Sequence, residues 1–288
     1  MKNQEKTVLV LSIVATILLL SISLAAIILD DGGDPYTYAT PRGEAVELYG
    51  GHGPYKYDNI YKAITFRSFD WVNLVVVLPL FLLGQSLYRR RQLRGQLLLA
   101  ALFTYLAYIY LIGVMGYAFN GLFLGWIVLF SIGLLGLYQI LSEINFAALP
   151  QKLADYFPRK PVAIYLVSVA VILLAQYLAE VITAYTTGDP PTSLDHYTTL
   201  ELAALELGVM IPLHMFSGLS LWKQRASGYL LSAILAFATS MVFVALSVSL
   251  LLMYFSYGRG DTFDMAITMI IALVASGFSI LVFWQIKH

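Results

Sequence analysis

Twice in this chain a polar residue stands six positions before a proline inside a long apolar run: Asn73 before Pro79, and Glu206 before Pro212. A proline within a helix removes a backbone hydrogen bond, frees the carbonyl one turn earlier and kinks the helix there. Polar groups beside such breaks build binding sites near the middle of a membrane. An ionisable group inside an apolar span is a functional candidate by its cost alone. His214, two residues past Pro212, adds a group able to accept a proton or ligate a metal. Glu206 and His214 are eight apart, about 80° around a helix and two turns along it, so they are not a tight pair. Each also has a plainer role: Glu206 as protonated or hydrogen-bonded glue between helices, and His214 as a cap on a kinked backbone.

Other residues invite weaker readings. Tyr110 and Tyr117 are seven apart, with Gly113 and Gly116 between them and Asn120 beyond, making one small and polar stripe at helical spacing. It reads as a pocket lining, as close helix packing, or, for Tyr117, as part of an interfacial aromatic belt. Gly121 and Gly125 have the spacing of a packing face. Glu143, Glu180 and Glu201 sit near the ends of apolar runs and are expected to reach solvent or headgroups. His52 and His196, with Asp195, Glu44 or Glu47, supply metal-ligating atom types, but no H-x-x-x-H or H-E-x-x-H spacing supports a site. No metal and no cofactor is expected. There is no phosphate loop, no dinucleotide fingerprint and no nucleophile elbow, so no catalytic residue is assigned.

The elements that carry these residues are helices in a bilayer. Of the 288 residues 59% are hydrophobic and 12% charged, about half the charged share of an ordinary soluble domain. A helix crossing about 30 Å of hydrocarbon needs roughly 20 apolar residues. Eight runs qualify: 7–29, 70–88, 96–118, 121–142, 161–184, 201–222, 229–256 and 263–286. The first exceeds the core of a secretory signal and is expected to be a retained span. The chain has no cysteine and no net charge, which removes disulfides, thiolate sites and a basic field for nucleic acid. The fold class expected is an all-α membrane protein with eight spans.

With eight spans, twelve Lys and Arg fall on one side, including Arg89, Arg90, Arg91, Arg94, Lys160, Lys223 and Lys287. Five fall on the other: Arg42, Lys56, Lys62, Arg67 and Arg259. Basic loops stay cytoplasmic, so both termini are expected inside and the tyrosine-rich stretch "ELYGGHGPYKYDNIY" (47–61) outside.

The sequence also resembles itself. "VATILLLSISLAAIILDDGGDP" (14–35) and "VAVILLAQYLAEVITAYTTGDP" (169–190) share V-A-x-I-L-L and end in G-D-P. "NLVVVLPLFLLGQSLYRRRQLRGQLLLA" (73–100) and "ELGVMIPLHMFSGLSLWKQRASGYLLSA" (206–233) share Pro-Leu, G-x-S-L-aromatic, a basic cluster and G-x-L-L-x-A, with small gaps. Shared helix-end chemistry gives part of this likeness. The expectation is two tandem, parallel four-helix halves, 1–150 and 151–288, with Asn73 and Glu206 facing each other across a pseudo-axis. From the G-D-P proline to the mid-span proline is 79 − 35 = 44 residues in the first half and 212 − 190 = 22 in the second. The first half therefore carries an outer insertion, about 36–60. His52, Tyr55 and Tyr57 are expected there as a lid, and Asp58 as the cap of a short interfacial turn, "NIYKAITF".

The run "RGQLLLAALFTYLAYIYLIGVMGYAFNGLFLGWIVLFS" (94–131), with "LELGVMIPLHMFSGLSLWKQRASGYLLS" (205–232), resembles an uncharacterised family of bacterial polytopic membrane proteins with no assigned activity. The resemblance implies a bacterial cytoplasmic membrane and transfers no functional residue. Three functions fit the residues. The first is binding or transport of a small or lipid-like molecule between the halves, with Asn73, Glu206, His214, Tyr110 and Tyr117 as contacts. The second is a non-catalytic sensor or assembly partner that docks a protein through the outer tyrosine-rich loop. The third is a lipid-modifying enzyme using Glu206, His214, His52 and Asp195.

Overall fold

The computed structural model describes residues 2–153 and 157–286; Lys287 lies outside them. Among the described residues eight helices are long and apolar enough to cross a membrane. They are α1 (Lys2–Leu29), α2 (Ile60–Arg89), α3 (Leu93–Gly116), α4 (Phe123–Glu143), α5 (Arg159–Thr187), α6 (Glu201–Trp222), α7 (Ala226–Tyr257) and α8 (Thr262–Trp284). The eight expected apolar runs are thus helical, and among the described residues the fold is helical apart from one small hairpin and its connecting loops. The centre belongs to α3 and α7, which pack on each other. Leu99 to Phe103 of α3 and Leu235, Ala236 and Ala238 of α7 are almost wholly buried. Around them α2 and α4 pack against α3, with α1 against α4 and α2, while α6 and α8 pack against α7. Between the groups α7 lies against α2, and α3 touches the start of α6.

Both intramembrane prolines are accommodated in one way. Residues Asn73–Val77 and Glu206–Met210 form single π-helical turns, closed by Leu78 N–H to Asn73 O and Ile211 N–H to Glu206 O. The wider turn absorbs the hydrogen bond that Pro79 and Pro212 cannot make. Both helices then end in the same closure. Arg91 and Gln224 adopt left-handed φ of 58°, and the next N–H reaches back to Leu87 O (3.1 Å) and Ser220 O (2.9 Å), a Schellman arrangement. Gly95 and Gly228 follow, each against the backbone of the preceding helix at Tyr88 and Leu221, where a Cβ would clash. Every one of these pairs is 133 residues apart. Over 73–100 the backbone correspondence needs none of the small gaps that the residue types suggest.

Helix α2 begins ten residues before the expected span. "NIYKAITF" is its first two turns and not a separate interfacial turn. Asn59 is its N-cap, its side chain accepting from Lys62 N at 2.7 Å, while Asp58 accepts from Ala118 N and the Tyr197 hydroxyl, both at 2.8 Å. Before it, β1 (Tyr36–Ala39) and β2 (Ala45–Leu48) pair antiparallel, Tyr36 opposite Leu48 and Ala39 opposite Ala45. A tight turn at Gly50 and Gly51 follows, with φ of 68° and 65°. A Cβ at either would strike Asp34 or Asp31, so the paired glycines are dictated by fit. This hairpin unit rests on α7, whose 32 residues run about 48 Å, well beyond the hydrocarbon thickness. Tyr257 at its end donates to Gly32 O at 2.6 Å, and Arg259 pairs with Glu47 at 2.6 Å.

Candidate functional site

A cavity of about 950 Å³ lies between α2 and α3 on one side and α5, α6 and α7 on the other. It exists because α5 is packed along only half its length. Val162, Ala163, Tyr165, Leu166, Val169 and Ala170 are buried, whereas no residue from 171 to 187 is. Gly218 of α6 allows the close contact of the N-terminal half, a Cβ there meeting Val167 and Ala163. The C-terminal half of α5 faces the cavity with Leu173, Gln176, Tyr177, Glu180, Thr183 and Thr187. Their spacing is one helical face, a polar stripe on a transmembrane helix. In α1, by contrast, Val8, Ser12, Ala15, Leu19, Ile22, Ser23 and Ala26 are buried along the whole length.

Glu206 is the deepest charged group of the lining. Its residue is 7% exposed. The Tyr108 hydroxyl donates to Oε1, and Oε2 has no hydrogen-bond partner among the described residues. The π turn starts at this residue, so the carboxyl sits where the helix is widest. His214 also lines the cavity but is internally satisfied: Nδ1 donates to Met210 O at 2.8 Å, and Nε2 bonds the Thr239 hydroxyl at 2.8 Å. That is the backbone-capping histidine, with a second tie to α7.

At the end nearest the hairpin Lys62 reaches Glu201 (2.6 Å) and Gly116 O (2.8 Å), and lies 3.5 Å from the Tyr197 ring centre. The loop between α5 and α6 closes over this end. Arg42 at the hairpin tip donates to Asp195 O and, at 3.1 Å, to Tyr197 O. Asn59 donates to the Asp195 carboxylate, and Tyr38 meets His196 edge-on at 6.5 Å. Burial pushes the Asp58 carboxyl up to about 7 and the Tyr197 hydroxyl well above its ordinary value. Burial also lowers His196.

Several expected residues lie elsewhere. Asn73 does not face Glu206: it is turned into α1 and α3, accepting from Tyr105 OH at 2.8 Å and donating to Ser23 and Tyr110 at 3.3 Å. Tyr110 is thereby buried in this network, whereas Tyr117 does line the cavity, its ring 4.4 Å from Phe66. Of the three expected lid residues, none lines the cavity. His52 is exposed and bonds Asp31 at 2.8 Å, holding that carboxyl down at about 2 chiefly through its backbone N–H. Tyr55 is 1% exposed, stacks near Trp126 and donates to Asp70. Tyr57 is exposed with Lys56 over its ring. Glu180 and Glu201 turn toward the cavity, and Glu143 accepts from Tyr88 OH at 2.6 Å. Among the described residues no group of three or more His, Asp and Glu could hold a metal.

No protein family, curated protein or solved structure matches the chain. The bacterial-family resemblance thus rests on its quoted residues alone. Sequence reasoning missed Tyr108 and the α5 stripe. The 4-3-4 spacing of Gln176, Glu180, Thr183 and Thr187 carried the signal for the stripe; Tyr108 carried none, being one tyrosine among three in α3.

Proposed function

We propose that this protein binds, and moves across or out of the bilayer, a small amphipathic or lipid-like molecule at an outward-facing site between its two halves. The observation that carries this reading is the cavity with Glu206 Oε2 left without a partner. Its volume falls within the range of sites for drug-sized ligands. A buried carboxyl with an open acceptor is costly unless something occupies it. The site is not built for acid–base catalysis, since both His214 nitrogens are engaged within the protein.

In this proposal the chain is a tandem pair of parallel four-helix repeats, 1–150 and 151–288, with both termini cytoplasmic, in a cell membrane. The 133-residue spacing of the two π turns, the two left-handed closures and the two packed glycines supports duplication. The basic clusters support the orientation. The first half has its space filled by Asn73, Tyr105, Tyr110 and Ser23, and the second half keeps its space open. The outer insertion anchors the loop over the site; with Tyr49 and Tyr55 buried in it, it serves this role better than docking of a protein partner.

The chain has no cysteine, so single introduced thiols report alone. Thr183→Cys and Val242→Cys, which line the cavity, should react with a water-soluble methanethiosulfonate added outside. Ile270→Cys, exposed on α8 toward lipid, should not. Equal protection of all three would rule out an outward-facing cavity.

A further inference from the structure

The polar groups of the cavity have a sign. Glu180, Asp189, Asp195, Glu201 and Glu206 line it, against the single ammonium of Lys62. That ammonium is already committed to Glu201, to Gly116 O and to the Tyr197 ring. Glu201 and Asp195 are likewise engaged, with Lys62 and Asn59, and Glu180 accepts from Ser193 N at 2.8 Å. The acceptor left over at depth is Glu206 Oε2, on a residue more than nine-tenths buried. It is flanked by the Tyr108 hydroxyl, which already donates to the other oxygen, and Tyr177 lines the same wall.

An anionic amphiphile entering this cleft would meet like charge at Glu180, Asp189, Asp195 and Glu206, none of which is paired with Lys62. A neutral one would leave the deep carboxylate without a counter-charge. A cation satisfies it, and aromatic faces add attraction for an ammonium. Low-dielectric walls lined by one sign of charge also raise the local concentration of the opposite sign. The apolar wall of Ile112, Leu173, Val242, Phe243 and Leu246 suits a hydrocarbon body.

Resting on the reading of the cavity as a binding site, we infer that its ligand is a cationic amphiphile, an amine whose ammonium pairs with Glu206 while its hydrocarbon part lies between α3, α5 and α7. The ammonium donates to Oε2, and the carboxylate keeps the Tyr108 hydrogen bond on Oε1. The mouth acids guide the cation inward, and Lys62 stays with Glu201 throughout.

The test uses the full chain in lipid nanodiscs, titrated calorimetrically at pH 7 with octylammonium, octanol and octanoate, with empty nanodiscs subtracted. The three probes share a chain and differ in headgroup charge. Octylammonium should bind at least tenfold more tightly than octanol, and octanoate should bind more weakly than either. In Glu206→Gln the preference of the cation over octanol should fall to near unity. Octanol or octanoate binding as well as octylammonium would overturn the cationic assignment while leaving the cavity a binding site. No saturable binding of any of the three would overturn the binding site itself, and the cationic assignment with it. If Glu206→Gln does not fold, the wild-type ranking of the three probes decides alone.

Discussion

Replacing Lys62 by methionine should destabilise the protein measurably, because it strands a carboxylate. Lys62 and Glu201 meet at 2.6 Å with side chains 16% and 9% exposed. Removing one partner of a buried pair costs about 3–5 kcal/mol, since the other charge is left uncompensated. The hydrogen bond to Gly116 O and the cation–π contact with Tyr197 are lost as well, each worth roughly 1–2 kcal/mol. The pair sits at a mouth that admits water, which relieves part of the stranded charge, so about 3 kcal/mol is the working figure. At about 2 °C per kcal/mol for a chain of this size, the apparent Tm should fall by about 6 °C. Scanning fluorimetry in one detergent measures it. Glu201→Leu alone should cost a similar amount, and the double variant should recover most of the loss, because an apolar pair replaces an ion pair at little cost. A Lys62→Met shift under about 2 °C, or strict additivity in the double variant, would refute the claim that the pair is buried and coupled.

Three further outcomes follow from the same geometry. The Asp58 carboxyl is raised from 3.8 to about 7, mainly by burial. The folded state therefore holds a proton that the unfolded state releases, and this contribution is complete below about pH 4 and lost as pH rises through about 7. Apparent Tm should decline between pH 5 and pH 8, and Asp58→Asn, which keeps the acceptor for Ala118 and Tyr197, should flatten that decline; an unchanged slope contradicts the assignment. Arg42→Ala should release the α5–α6 loop, seen as faster hydrogen exchange at 193–197 with the helices unaffected, and unchanged exchange there would show that the hairpin does not hold the loop. Gly95→Val and Gly228→Val should each abolish a monodisperse preparation, since a Cβ would run into backbone at Tyr88 and Leu221; tolerance of either would deny the tight turn at that position.

The number of helices was legible in composition because crossing a bilayer demands long apolar runs, and the chain supplies eight. The true start of α2 was not legible, since Lys62, Arg67 and Asp70 make its first turns look like loop. Lys62 and Arg67 are neutralised by Glu201 and Asp30, outside the helix, and Asp70 accepts from the Tyr55 hydroxyl. The hairpin strands are four residues each, too short for alternation to declare itself. Proline spacing gave the shared depth of Asn73 and Glu206, but depth leaves the direction of a side chain undetermined. Asn73 turns to three hydroxyls on α1 and α3, while Glu206 accepts from Tyr108 on one oxygen and, among the described residues, leaves the other buried without a partner. The cavity itself follows from where α5 stops packing, a tertiary fact with one sequence trace, its polar stripe.

The most direct test of the central claim is a cryo-electron microscopy structure of the protein purified in lipid nanodiscs. Elongated density is expected between α3 and the C-terminal half of α5, its polar end about 3 Å from the Glu206 carboxylate. A C-terminal half of α5 closed onto α3, with no space beside Glu206 and its carboxylate bonded to another side chain, would contradict the claim.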